Sequence, residues 1–359
     1  CDRDPVTHPA QRAVPSSRHE LSLVCKWRSI HTLKMPLHPQ IKGFLDMLRA
    51  ANLPPYEQST PADARARMDM IGMLESPAEP VSVVRDFTIA GPQQELPLRL
   101  YSPTSLKQMG PQPALVYFHG GGWVIGSITS HDRLCRAIAN AAACIVISVG
   151  YRLAPEHKFP AAVIDCEAGF RYVATHAAEL GVDPDRIAVG GDSAGGNLAA
   201  VVAVRARDSG GVQPKAQLLI YPATGHGIET ASRKRFSEGH LLTSGTMQWF
   251  ADHYLRDTND AYRPEASPRL VEDLSGLPSA YVLTAEYDPL CDEGEEYAHL
   301  LHEAAVPVTL RRFGGMIHGF VQLTGIAPVT RTAIDEVSGW LRTTLGSVAA
   351  KSVKPTAAT

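Results

Sequence analysis

Apolar positions along this chain follow two periods. Short apolar runs bounded by Gly, Pro, Asn or Asp predict strands at Val83–Ile89, Leu96–Tyr101, Ala114–Phe118, Cys144–Val149, Ile187–Val189, Gln217–Ile220, Tyr281–Thr284 and Val308–Phe313. Apolar stripes at helical spacing lie near His131–Ala142, Ala161–His176, Gly195–Asp208, Glu293–Ala304 and Val329–Leu345. The first two strands read as an antiparallel hairpin. The later ones alternate with helices, as in a right-handed parallel sheet covered on both faces, so the predicted fold class is α/β with a mostly parallel sheet of eight strands.

Other segments stand apart from this alternation. Ile41, Phe44, Leu45 and Leu48 recur at three- and four-residue steps until Pro54-Pro55, and Pro61 suits the first position of a second helix running to Leu74. Between the sixth and seventh strands lies an insertion, 223–262. It opens on a Gly-, Ser- and charge-rich stretch and continues as a helix through Met247, Trp249, Phe250, Tyr254 and Leu255, with Thr243 or Ser244 as its cap. A loop of that length without structure is unusual inside a compact domain, so the insertion reads as a cap segment. Trp249 and Phe250 fit either the wall of an acyl or alcohol pocket or plain packing, and packing is the commoner use of aromatics at this spacing.

The expected layout is a tail at 1–34, cap helices at 35–80, a core at 81–222 and 263–347 interrupted by the cap insertion at 223–262, and a flexible tail at 348–359. The first segment is rich in Pro, Ser, Arg and His, has no methionine before Met35, and is expected to be disordered. Leu21–Cys25 is too short for the apolar stretch of a signal peptide. The segment reads as an upstream-translation or expression remnant with Met35 as the natural start. A processed lipoprotein terminus at Cys1 is the other reading, and no lipobox supports it.

Composition narrows the class. A net charge of −3 over 359 residues, with the basic residues scattered, gives no stripe for nucleic acid, and no apolar run approaches bilayer-spanning length. The cysteines at 1, 25, 135, 144, 166 and 291 form no CxxC pair and no zinc spacing. These features lead us to expect a cytoplasmic protein with no metal, no cofactor, no nucleic-acid partner and no stable membrane insertion.

Candidate chemistry centres on Gly191-Asp192-Ser193-Ala194-Gly195, which joins the apolar run 186–190 to a small-residue run, 196–200. A serine there sits on a tight strand-to-helix turn with its hydroxyl exposed; a Gly-rich turn with no chemistry is the plain alternative. Upstream, the strand Ala114–Phe118 ends in His119-Gly120-Gly121-Gly122-Trp123. Successive glycines leave backbone N–H groups unobstructed for an oxyanion, although a flexible loop or a phosphate-binding turn would also use them. In an α/β-hydrolase sheet an acid and then a histidine follow the serine, and Asp288 and His318 do so, each on a loop after a strand.

These residues resemble the hormone-sensitive lipase-like esterases, also called bacterial family IV, of the α/β-hydrolase fold. The resemblance rests on His119–Trp123, on Tyr151-Arg152-Leu153-Ala154-Pro155-Glu156, on Gly191–Gly196, on Asp288-Pro289-Leu290 and on His318-Gly319-Phe320, and spans about residues 36 to 347. It implies a serine carboxylesterase acting on short- to medium-chain esters, with Ser193, Asp288 and His318 catalytic and the N–H groups of Gly121, Gly122 and Ala194 as oxyanion hole. It also implies N-terminal helices that help cap the site and pairing of copies through the sheet edge near the last strand. The departure at Cys291, where many relatives carry a basic residue, is expected to alter ion pairs of Asp292 or Glu293. Tyr151 and Arg152 are expected to brace the glycine loop. Asp192 is expected to point away from the triad, and His119 either positions the glycine loop or is a buried histidine satisfied by backbone. The same machinery could act on amides, lactones or acyl acceptors; a binding protein on this fold would be expected to lack a triad member.

Overall fold

The computed structural model describes residues 35–71, 76–106 and 110–346. Expectations for residues 1–34, for the end of the second helix at Leu74 and for 348–359 fall outside the described residues. The chain divides into two units, Cys1–Pro36 and Leu37–Thr359, and the sheet with the helices of the described residues belongs to the second.

Eight strands form one sheet: β1 Val83–Ala90, β2 Glu95–Ser102, β3 Gln112–Phe118, β4 Ile145–Val149, β5 Val182–Asp192, β6 Ala216–Ile220, β7 Ser279–Tyr287 and β8 Val308–Ile317, in the order β1-β2-β4-β3-β5-β6-β7-β8. β1 and β4 both pair antiparallel with β2, and every later pairing is parallel. Every residue of β3 and β4 is buried, as unbroken apolar runs require when helices cover both faces. The expected strands are all present. Insertion of β4 between β2 and β3 is set by packing at a distance, which no local run of residues encodes.

Ten helices accompany the sheet among the described residues: α1 Pro39–Ala50, α2 Pro61–Ile71, α3 Asp132–Ala142, α4 Ala161–Thr175, α5 Ala177–Leu180, α6 Ala194–Asp208, α7 Ala231–Arg235, α8 Ser244–Tyr254, α9 Cys291–Glu303 and α10 Val329–Leu345. Ile41, Phe44 and Leu45 of α1 join one buried cluster with α3, α10 and the Leu115, Tyr117 and Leu218 side of the sheet. The apolar stripe of α1 is thus spent on the core. Full burial of one such side chain contributes about 1.5–3 kcal/mol.

α3 ends on Ala143 in the left-handed conformation (φ 51°, ψ 44°), where glycine is the usual residue. The insertion holds α7, unforeseen in the charge-rich stretch, and α8, whose cap is Thr243: its hydroxyl accepts the Thr246 N–H at 3.1 Å.

Candidate active site

Three loops at the carboxyl ends of strands carry the expected triad to one point. β5 ends at Asp192 and α6 begins at Ala194, so Ser193 alone makes the turn, with φ 55° and ψ −117°. Such backbone costs about 1–3 kcal/mol and persists only when its surroundings hold it. Here the Ser193 N–H donates to Ile220 O at 2.8 Å, and its carbonyl accepts from Asn197 N at 3.0 Å and Ala223 N at 3.2 Å. A Cβ on Gly191 or Gly195 would collide with the Phe118 carbonyl, which is why the elbow is flanked by glycine.

His318 follows β8 and Asp288 follows β7. The imidazole Nδ1 lies 2.7 Å from Asp288 Oδ2, and Nε2 lies 2.9 Å from Ser193 Oγ. Asp288 is fully buried and its Oδ1 accepts the Leu290 N–H at 2.8 Å. A neutral imidazole donating from Nδ1 to this carboxylate presents a lone pair on Nε2 to the serine hydroxyl.

The glycine loop stands beside this line. Gly120 N–H is used: it reaches Asp192 Oδ1 at 3.0 Å and His131 Nε2 at 3.2 Å. Gly121 has φ 111° and Gly122 φ 58°, conformations that favour glycine, and the Gly121 carbonyl accepts from Val124 and Ile125 N–H at 3.1 and 2.9 Å. Among the described residues the N–H groups of Gly121, Gly122 and Ala194 donate to no backbone acceptor. Ala194 opens α6, where an N–H has no acceptor within the helix.

Asp192 does point away from the triad. It is buried beneath the glycine loop, takes the Tyr117 hydroxyl at 2.7 Å and faces His131 Nε2 at 3.2 Å. Burial alone would raise its carboxyl, but His131 and Tyr117 outweigh that and hold it below the ordinary aspartate value. His131 in turn touches Ser130 Oγ at 2.9 Å and the Gln322 amide at 2.6 Å. Sequence reasoning missed His131 and Gln322, since a histidine before a helix and a glutamine after a loop carry no motif.

His119 is buried, and its ring is satisfied by backbone that belongs to the glycine loop, so both of its expected roles describe the same contact. Its Nδ1 lies 2.8 Å from Gly120 O, and Tyr151 stacks on the ring at 4.3 Å while donating its hydroxyl to His119 O at 2.7 Å. Burial, with His131 nearby, lowers the His119 pKa to about 3, so the ring is neutral and Nδ1–H donates to the loop. Arg152 does not share this bracing. It is buried in a pair with Asp165 (Nε–Oδ2 2.7 Å) and also binds Gln93, because its longer side chain runs back under the loop after β4. The Cys291 thiol lies 3.5 Å from Glu295 Oε1, and Glu295 itself is held by Arg312 at 2.6 Å, while Asp292 accepts the Ser232 N–H and Glu293 pairs with Arg233.

A cavity of about 650 Å³ opens over Ser193 and His318, walled by Tyr56, Met68, Ile228, Leu242, Met247 and Phe250. Phe250 is therefore a wall residue. Trp249 is not in the wall: it packs edge-on against Phe250 at 5.3 Å and near Tyr56 at 6.2 Å. Cys135, Cys144, Cys166 and Cys291 are buried free thiols, and burial pushes Cys144 up to about 12. Among the described residues no group of three His, Cys, Asp or Glu side chains could hold a metal, and no helix is long and apolar enough to cross a membrane.

A strand-elbow-helix serine on a mostly parallel sheet, with a histidine and an acid from later strand ends, defines the α/β-hydrolase class. A family model described as alpha/beta hydrolase fold matches residues 115–322, and the chain belongs to that family, in its hormone-sensitive lipase-like branch. It is 40% identical over 288 residues to an arylesterase of Saccharolobus solfataricus, covering 80% of this chain and 93% of that protein. It is 45% identical over 271 residues to the carboxylic ester hydrolase LipN of Mycobacterium tuberculosis, covering 74% and 71%. Among solved structures, an ester hydrolase from the metagenome of Lake Arreo, complexed with a bipyridine phosphonate derivative, superposes with a TM-score of 0.84 at 42% identity, covering 87% of this chain and all of that one.

Proposed function

We propose that the protein is a serine carboxylesterase that hydrolyses short- to medium-chain carboxylic esters through an acyl-enzyme. The observation that carries this is the continuous line Asp288–His318–Ser193 at 2.7 and 2.9 Å, whose last two members line the cavity while the acid is buried behind them. Ser193 Oγ attacks the ester carbonyl carbon as its proton passes to His318 Nε2. The oxygen that gains charge accepts hydrogen bonds from the N–H groups of Gly121, Gly122 and Ala194, each worth about 3–4 kcal/mol in the barrier. His318 then protonates the alcohol oxygen as the C–O bond breaks, leaving acyl-Ser193. Water, deprotonated by the same imidazole, attacks the acyl carbon; the bond to Ser193 Oγ breaks, the imidazolium returns its proton to that oxygen, and the acid is released.

Names of the relatives support this reading, since each is called an ester hydrolase or an esterase. The cap belongs to the same proposal: Tyr56 and Met68 from the N-terminal segment, together with the insertion, wall the cavity. Pairing of copies along β8, one of the two edge strands of the sheet, and a cytoplasmic location suited to buried free thiols complete it.

A p-nitrophenyl alkylphosphonate tests the reading directly. One equivalent should block the protein and be recovered, by mass spectrometry, on the peptide carrying Ser193. Labelling elsewhere, or none in folded protein, contradicts it.

A further inference from the structure

Two residues 60 positions apart, Ser232 in the insertion and Asp292 beyond the triad acid, fasten each other's helices. α9 begins directly after Asp288-Pro289-Leu290, and Leu290 at its cap position makes no side-chain cap. The first N–H groups of a helix need acceptors from outside it. Asp292 N–H finds the hydroxyl oxygen of Ser232 at 3.1 Å. Ser232 lies in the first turn of α7, and its own N–H donates to Asp292 Oδ2 at 2.7 Å. The Ser232 hydroxyl donates in turn to Pro289 O at 2.8 Å. This is the reciprocal logic of a capping box, made between two helices instead of within one.

The neighbouring residues repeat the link. Arg233 Nε lies 2.7 Å from Glu293 Oε2, and Glu293, fully buried, also accepts the Thr224 N–H at 2.8 Å. Between these fastenings runs the short stretch that aims Asp288. Its carbonyl accepts Cys291 N–H at 3.1 Å, its Oδ1 accepts Leu290 N–H at 2.8 Å, and its Oδ2 meets His318. Ser232 is buried and does not itself line the cavity, although its neighbours Arg233 and Lys234 do, so the readout that separates its action on the triad from its action on the wall is the Asp288–His318 bond itself.

We infer that Ser232 is a positioning residue: by holding Pro289 and Asp292 it fixes the Asp288 carboxylate against His318 and couples the packing of the insertion to the triad. The inference rests on reading Asp288, His318 and Ser193 as the catalytic residues. Aiming errors on the scale of an ångström cost roughly a hundredfold in rate, and the loss of one of several fastenings should cost less.

The test compares the full chain with Ser232→Ala, Ser232→Thr and Asp292→Ala. For p-nitrophenyl butyrate, Ser232→Ala should lower kcat about tenfold with KM within about twofold, and Ser232→Thr should restore most of the loss. The low-field proton resonance of the His318 Nδ1–H···Asp288 bond should shift or broaden in both alanine variants and persist in the threonine variant. That resonance is read without turnover, so it still tests the coupling if the intact protein proves inactive on esters and the functional reading falls. Unchanged kcat, or an unchanged resonance, in a folded alanine variant overturns the inference, as does a threonine variant no better than alanine. If Ser232→Ala does not fold, Asp292→Ala decides by the same resonance.

Discussion

The ring of Phe250, from the insertion, occupies the space that a Cβ on Gly122 would need. The wall of the cavity and the glycine loop are thus in direct contact, and the loop can take its shape only because position 122 has no side chain. Gly122 also has φ 58°, which an alanine adopts only with strain. Gly122→Ala must therefore displace either the loop or the ring.

We predict that Gly122→Ala lowers kcat by about 10²–10³, the cost of losing one oxyanion donor. KM should change much less. Steady-state kinetics on p-nitrophenyl butyrate checks this, and a wild-type kcat would contradict the prediction by showing that the Phe250 ring gives way while the loop keeps its shape.

Buried histidines set the acid side of stability. His119 is lowered to about 3, first by burial and then by His131, and His226 to about 4, first by burial and then by Arg233. Unfolded histidine titrates near 6.5. Between the folded and unfolded values the unfolded chain binds more protons, so stability rises with pH there; it is complete above about 6.5 and drains away as pH falls toward 4 and then 3. Calorimetry from pH 4 to 8 should show Tm falling on the acid side, with a shallower slope in His119→Gln. An equal slope in that variant would mean that His119 is not held neutral.

Ala143 gives a prediction of the opposite sign. It ends α3 in left-handed backbone and is exposed, so its methyl group gains little contact. Relief of strain of about 1–2 kcal/mol, offset by the greater freedom of unfolded glycine, should make Ala143→Gly about 0.5–1 kcal/mol more stable. Denaturant unfolding checks the sign, and a loss of stability would contradict the assigned conformation.

Legibility of this chain followed how local the signal was. The elbow serine, Asp288 and His318 were readable because each stands at the end of an apolar run, and the structure brings all three within hydrogen-bonding reach. α7 was missed since its five residues, Ala231–Arg235, show no apolar stripe, though Thr230 before it, whose hydroxyl accepts the Arg233 N–H at 3.1 Å, was an available cap signal. Arg152 was misassigned because its partner Asp165, 13 residues on, is found only by folding α4 back against the loop. The support beneath the glycine loop, Asp192 with His131 and Gln322, joins residues up to 191 positions apart and has no spacing to read.

Hydrolysis of p-nitrophenyl esters from acetate to palmitate, by the intact chain and by Ser193→Ala prepared identically, tests the central claim most directly. Turnover of the short chains that falls by at least about 10⁴ in the variant, with its fold intact by circular dichroism, is the predicted result. Retained turnover in Ser193→Ala, or none in the folded intact protein, would contradict the serine-esterase account.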